Sequence, residues 1–134
     1  MFEVVSPLGK PVFEWITSAA CYRGQLLYDN SGAAPVAAES TSTALLGICM
    51  EDAASGAKVK IYPCQGEILK IPYYTSASDQ TLADANLGTP YDINVTSNDM
   101  TLDTDDTSGF CHLVGYDNDE KFAYVMLPAA DFLL

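Results

Sequence analysis

The chain has 134 residues, the length of one domain that can bury a core, and 49% of them are hydrophobic, which argues against disorder. Its formal net charge is −12. Residues 1–72 carry 7 acids and 5 bases (net −2), whereas residues 73–134 carry 11 acids and the single base Lys121 (net −10). Such a surface repels nucleic-acid phosphates and anionic lipids, so we predict that the protein binds neither nucleic acid nor a membrane.

No stretch reaches the roughly 18 apolar residues of a membrane-spanning helix. The first residues lack a basic region followed by an apolar run, so the sequence predicts no signal peptide and a protein made in the cytoplasm. At least 14 residues separate successive cysteines, and no Cys-x-x-Cys pair occurs. We therefore predict reduced, mostly buried thiols rather than disulfides at the four positions, Cys21, Cys49, Cys64 and Cys111.

Residues 1–17 predict an extended N-terminal arm, because Pro7, Gly9 and Pro11 break any helix there. Two roles are open for this arm: an edge strand on the domain's own core, or an anchor on another subunit. Aromatic and apolar side chains on an arm are effective anchors. The candidates are Phe2, Val12, Phe13 and Trp15.

The next segment, residues 18–72, reads as a series of short strands. Ala19 to Tyr28 predicts a strand with a bulge or turn at Gly24, and Ala33 to Ala38 predicts a short strand of small residues. Leu45 to Met50 is almost entirely apolar, and Lys58 to Ile61 alternates polar with apolar residues. With Gly56 free to take a positive φ between them, this pattern predicts a hairpin of one buried and one half-buried strand.

Strands resume after a polar insert at 73–86, in which Leu82 is the single apolar anchor and Ser78 caps a short helix predicted over 79–85. The strands predicted in the second half, 87–128, are Pro90 to Val95, Met100 to Leu102, Phe110 to Tyr116 and Phe122 to Leu127. A single helical turn is predicted after Pro128.

The two halves, 18–72 and 87–128, repeat one another loosely. Tyr28-Asp29 corresponds to Tyr91-Asp92, and Leu45-Leu46-Gly47 corresponds to Leu113-Val114-Gly115. Two related units of about five strands each bury their apolar faces only against one another. We therefore predict a single all-β domain over 18–134, a compact sandwich or barrel built from two related halves.

No motif carries catalytic chemistry. His112 and Cys111 are neighbours in a predicted strand, so they point to opposite faces and cannot form a nucleophile–base pair. The acidic loop Asp103 to Gly109 departs from the EF-hand pattern, which leaves a plain hairpin loop or a weak cation site as alternatives. Phosphate-binding and Gly-x-Ser-x-Gly motifs are absent. We predict that the protein is not an enzyme and holds no cofactor or metal.

In its glycine-containing apolar runs and the turns that follow them, the chain resembles the capsid-decoration (cement) proteins of tailed phages, a family formerly of unknown function. In that family an apolar-glycine run, a small-residue turn, a glycine and an alternating strand recur. The resemblance covers roughly residues 18–127, apart from the insert at 75–86 and the acidic loop at 103–106. It is carried by Gly24 to Tyr28, Pro35 to Ala38, Leu46 to Ile61, Gly66, Leu113-Val114-Gly115 and Tyr124 to Leu127.

The resemblance implies an all-β structural protein of the virion that binds the outer surface of an assembled head and stabilises it. Its implied partners are the major capsid protein and further copies of itself, as a dimer or trimer on capsid symmetry axes. The N-terminal arm is one hypothetical clamp on the shell, and a less acidic face that includes Lys58 and Lys60 is another. The alternatives are another small β phage component for head completion or the tail, an enzyme, or a carbohydrate-binding β-sandwich.

Overall fold

The computed structural model describes residues 1–29, 35–37, 44–74, 81–96 and 98–133, with the side chains of 35–37 and of Tyr74 left out. These ranges contain eleven strands and two single 3₁₀ turns, Asp84–Asn86 and Ala129–Asp131, so the predicted all-β fold is confirmed. Within them, no helix is long and apolar enough to cross a membrane. The strands are β1 Glu3–Val4, β2 Phe13–Ile16, β3 Leu26–Asp29, β4 Pro35–Ala37, β5 Leu45–Cys49, β6 Lys58–Tyr62, β7 Leu69–Tyr74, β8 Pro90–Thr96, β9 Asp99–Asp103, β10 Cys111–Asp117 and β11 Phe122–Met126.

The first sheet has the order β2-β6-β5-β3-β4, with every neighbouring pair antiparallel. Its centre is the predicted hairpin of β5 and β6. Strand β5 is buried throughout, whereas Lys58 and Lys60 of β6 are exposed and Val59 and Ile61 are buried. Gly56 has φ +82° in the turn, so the predicted hairpin and its glycine are both confirmed.

The second sheet is a closed barrel. Its order is β7-β11-β10-β8-β9, the parallel pairing of β9 with β7 closes the ring, and β1 attaches outside β7. The first sheet has the same order when β2 to β6 are matched in sequence to β7 to β11. The two related multi-strand halves of the predicted fold are thus a closed barrel and an open sheet of the same topology.

The larger core lies inside the barrel and between it and the first sheet. It contains barrel residues such as Leu69, Ile71 and Val125, together with Leu26 and Leu45 of the first sheet. A smaller cluster occupies the other face of the first sheet. It consists of Cys21, Leu27, Leu46, Cys49, Val59 and Ile61, with Phe13, Trp15 and Ala53 packed at its border.

The strands do not follow the predicted segment boundaries. Strand β7 spans the boundary between the half 18–72 and the insert 73–86, and it pairs with strands of the second half. The short helix predicted over 79–85 is replaced, in the described residues, by the 3₁₀ turn Asp84–Asn86, and its proposed cap Ser78 lies outside them. Leu82 is buried in the larger core, which confirms it as the anchor of this segment.

The N-terminal arm is extended, as predicted, but it is part of the domain. Strand β1 pairs with β7 of the barrel, and β2 pairs with β6 of the first sheet. The arm therefore joins both sheets, and of its two predicted roles the structure has the edge strand on the domain's own core.

Candidate interaction surface

Phe2, the first of the predicted anchors, is not available to a partner. Its side chain is only 4% exposed and belongs to the larger core, and its N–H donates to the carbonyl oxygen of Gly24 at 2.8 Å. The sequence prediction of Phe2 as an interface residue is corrected for this reason. An apolar residue near a chain end packs into the core whenever its strand pairs with the domain, and sequence pattern cannot tell this from an outward anchor.

Phe13 and Trp15 point the other way from the remaining residues of β2. Both are half-buried and pack against the smaller cluster, with their ring centroids 5.9 Å apart in an edge-to-face arrangement. Alternation along the strand places Val12, Glu14 and Ile16 on the opposite side of the sheet. Of the predicted anchors, Val12 therefore shares a face with Ile16, while the two aromatic residues border the smaller cluster.

The basic candidates lie on that same outer side. The register of β2 against β6 places Glu14 opposite Lys60 and Ile16 opposite Lys58, so apolar and charged side chains are neighbours across the strands. Exposure reaches 44% for Val12 and 60% for Ile16. We call this set the β2–β6 face: Val12, Glu14, Ile16, Lys58 and Lys60.

The β2–β6 face is close to neutral on a strongly acidic protein. Its charged members Glu14, Lys58 and Lys60 give 2 − 1 = +1, and the adjacent Glu51 brings the sum to 0, against −12 for the whole chain. Lys60 also lies 3.4 Å from the exposed carboxylate of Glu51. Lys58 has no ion pair within the part of the chain that the structure describes, so its charge is the one on this face least compensated by the protein itself.

A buried carboxylate that the sequence analysis missed holds the loop leading into this face. Glu67 accepts hydrogen bonds from the hydroxyl of Tyr62 and from the N–H of Leu8, both at 2.8 Å. The ammonium of Lys10 lies 3.3 Å from its other oxygen and also donates to the carbonyl of Gln65. Glu67 is 4% exposed, so these contacts fix the chain between β1 and β2. A glutamate beside a Gln-Gly turn gives no sequence signal for this role.

The four cysteines are buried, free of disulfides and far from nucleophilic. Burial raises the pKa of the Cys49 thiol to about 11 and that of the Cys64 thiol to about 12, and it raises the pKa values of Cys21 and Cys111 as well. A thiol with so high a pKa is protonated at neutral pH, and the thiolate is the reactive form.

His112 and Cys111 lie on opposite faces of β10, as predicted. Cys111 is fully buried, whereas His112 is half-buried beside Met126 in the register of β10 and β11. They therefore do not form a nucleophile–base pair with each other.

The acidic loop uses its carboxylates to hold its own turn. The N–H of Asp105 donates to Asp103 at 3.0 Å, and Ser108 donates through both its N–H and its hydroxyl to Asp106. These hydrogen bonds keep the pKa of Asp106 below its ordinary value. No cluster of three or more potential metal ligands occurs among the described residues. The loop joins β9 to β10, and these strands are not neighbours because β8 lies between them. It is therefore a connection across the end of β8, and the prediction of a hairpin loop was wrong.

Tyr73, one of the two adjacent tyrosines on which the carbohydrate-binding alternative depends, is not exposed to a ligand. Tyr73 is buried in the larger core, and its hydroxyl donates to Asn118 at 2.8 Å. The side chain of Tyr74 lies outside the described part of the structure.

Fold and surface together define a small all-β protein whose clearest candidate site is the exposed β2–β6 face. The chain matches no protein-family model and no curated protein.

Proposed function

We propose that this protein is a structural decoration protein of a tailed-phage head, which binds the outer surface of the assembled shell and stabilises it. The observation that carries the proposal beyond the sequence resemblance is the β2–β6 face. It combines exposed apolar side chains with lysines on a protein of net charge −12. A binding protein needs such a face and needs no reactive residue, which agrees with the protonated, buried cysteines.

The charge distribution supports one orientation on the shell. Residues 73–134 carry a net charge of −10 and form most of the barrel, whereas the β2–β6 face is close to neutral. A partner surface that is acidic or neutral approaches the protein with least repulsion at the β2–β6 face. In this orientation the barrel points away from the shell, and its negative charge keeps decorated particles apart.

Weak contacts suffice for such a role. Many copies at equivalent positions of a shell act together, so the stabilisation of the particle exceeds that of any one contact. The exposed Val12 and Ile16 supply apolar area, and Lys58 supplies a charge without an ion pair in the described structure.

Electron microscopy of the native particle tests the location directly. We expect density for this fold at repeated positions on the outside of the head. Density confined to the portal or the tail would instead indicate a head-completion or tail component and would contradict the proposal.

A charge-reversal series tests the face. Lys58→Glu changes the net charge by −2, and we expect it to reduce occupancy on isolated heads several-fold. The matched control is the pair Thr96→Glu and Thr107→Glu, two exposed barrel positions that change the net charge equally. Equal occupancy for the two variants would refute this contact surface. Deleting residues 1–17 is less informative, because it removes β1, β2 and a core phenylalanine.

A further inference from the structure

The outer edge of β2 has backbone groups that face away from the sheet. The N–H of Thr17 donates to Ala57 at 3.0 Å and its carbonyl accepts from Gly56 at 2.9 Å, so the backbone of Thr17 faces the β6 side. Backbone groups alternate in direction along a strand, so those of Phe13 and Trp15 also face β6. The N–H and C=O groups of Glu14 and Ile16 therefore point outward.

Strand β2 has a strand partner on one side only, whereas the corresponding strand of the barrel has partners on both sides. Strand β7 corresponds to β2 in the shared topology, and it pairs with β11 on one side and with β9 and β1 on the other. Strand β2 pairs with β6 alone among the described strands. The free edge of β2 is thus the position at which the open sheet can accept one more strand.

We propose that this edge pairs with β2 of a second copy of the same chain, antiparallel, about a two-fold axis that passes beside Trp15. In this register Glu14 of each copy is opposite Ile16 of the other. Each such pair exchanges both of its backbone hydrogen bonds, which gives about four across the edge. The first sheets of the two copies then form one continuous sheet.

Charge and backbone geometry favour this register over its two neighbours. Shifting the two-fold axis to Glu14 brings the two Glu14 carboxylates directly opposite each other, which is unfavourable. Shifting it to Ile16 would need Ser18 as the backbone partner of Glu14, but Ser18 lies beyond the end of β2 and its carbonyl oxygen already accepts from the Ser55 hydroxyl at 3.0 Å. With the axis at Trp15, each exposed Ile16 is covered by a Glu14 side chain, and each Glu14 lies between its own Lys60 and the other copy's Ile16.

The two sides of the joined sheet are both compatible with a second copy. On the outer side each row reads Lys58, Ile16, then Glu14 and Lys60 of the second copy, so acids and bases alternate around the apolar residues. On the inner side the two Trp15 rings become neighbours and extend the smaller cluster of each copy. The contact also lies in the half of the chain that carries a net charge of only −2.

This dimer is independent of the decoration role. If both hold, the two β2–β6 faces lie on the same side of one sheet, and a dimer presents them together to a shell.

The molar mass of the free, full-length protein over a range of concentrations tests the dimer. We expect a monomer–dimer equilibrium. Ile16→Pro removes an outward N–H and leaves the N–H groups that face β6, so we expect it to weaken the dimer by about 100-fold or more. The control Ile16→Ala keeps that N–H, and we expect it to weaken the dimer much less. Circular dichroism and the melting temperature establish that each variant is folded.

A cross-linking test gives the register even if Ile16→Pro fails to fold. Opposed residues of a hydrogen-bonded antiparallel pair have Cα atoms about 5.5 Å apart, within the range of a disulfide. We expect oxidation to link Glu14→Cys chains to Ile16→Cys chains when the two variants are mixed, and to link neither variant to itself. A protein that stays monomeric at all concentrations, a dimer unaffected by Ile16→Pro, or a link between two Glu14→Cys chains would each overturn the proposal.

Discussion

Gly47 lies in the centre of the buried strand β5, and we expect even a methyl side chain to be poorly tolerated there. A methyl group there would lie 2.0 Å from the carbonyl oxygen of Tyr62 and 2.7 Å from its carbonyl carbon. The backbone of Gly47 also has φ +152°, outside the range that L-residues readily adopt. Both obstacles are backbone atoms or backbone angles, so side-chain rotation relieves neither.

The expected cost of Gly47→Ala follows from these two obstacles. The unfavourable φ contributes about 1–2 kcal/mol. Forcing β5 and β6 apart contributes about 1–3 kcal/mol more, as for other overpacked core sites. The reduced freedom of the unfolded chain offsets about 0.4–1 kcal/mol. We therefore expect the free energy of unfolding to fall by about 1–5 kcal/mol.

The second unit supplies the control. Gly115 corresponds to Gly47 in the sequence repeat, but a methyl group there meets its nearest atom, in the Tyr124 ring, at 3.4 Å. We expect Gly115→Ala to change the free energy of unfolding by less than about 1 kcal/mol. Urea denaturation followed by fluorescence of the single tryptophan, Trp15, and by circular dichroism measures both variants. Similar losses for the two, or a loss below about 1 kcal/mol for Gly47→Ala, would refute the reasoning.

Three further predictions concern polar and titrating groups. Glu67→Ala removes the acceptor of the Tyr62 hydroxyl and of the Leu8 N–H, and the ion-pair partner of Lys10, so we expect a loss of about 2–4 kcal/mol in urea denaturation. Its control, Glu51→Ala, breaks an exposed ion pair and should cost at most about 1 kcal/mol; equal losses would contradict the role of Glu67. Burial raises the pKa of Cys64 from an ordinary 9.0 to about 12, so its contribution to stability is complete below about pH 9 and is lost between pH 9 and pH 12. Cys64→Ala should therefore flatten the alkaline fall in the free energy of unfolding, and an unchanged slope would count against this. Ser108→Ala removes the hydroxyl hydrogen bond and keeps the N–H, so it should raise the pKa of Asp106 towards its ordinary value in an NMR titration, and no change would show that the Ser108 hydroxyl does not lower it.

The strands were predictable where the pattern of apolar and polar residues reflects which side chains are buried. The alternation of Lys58 to Ile61 and the apolar run from Leu45 reproduce β6 and β5, because each pattern has one stable placement against a core. The Leu-x-Gly repeat of the two halves also indicated that both sheets share one topology. Each of these patterns spans only a few residues along the chain, and the burial of neighbouring side chains is enough to produce it.

Long-range partners were not predictable from the same patterns. Phe2 and Val12 are both apolar residues of the arm, yet one is in the core and the other is exposed. The difference depends on which strands β1 and β2 join, and that is fixed by contacts more than 45 residues away, such as Val4 with Leu69 and Phe13 with Ile61. Glu67 was missed for the same reason, since its partners Leu8 and Lys10 are distant in sequence.

The closing pair β7–β9 explains why the two related units offer different surfaces. In the barrel, Tyr73 pairs with Leu102, so its first and third strands satisfy each other's backbone groups. The first sheet is ordered identically, and a β2–β4 pair would be its equivalent closure. Closing it would cover the edge at Glu14 and Ile16 and would turn Phe13 and Trp15 towards a sealed interior. The described strands leave that edge open. The first sheet, which lies in the half of the chain with a net charge of −2 rather than −10, is therefore also the sheet with backbone groups available to a partner. The free edge and the β2–β6 face therefore both lie on β2. Ile16→Pro and Ile16→Ala both remove an exposed side chain from the face, so the difference between them isolates the edge N–H, whereas Lys58→Glu changes the face alone.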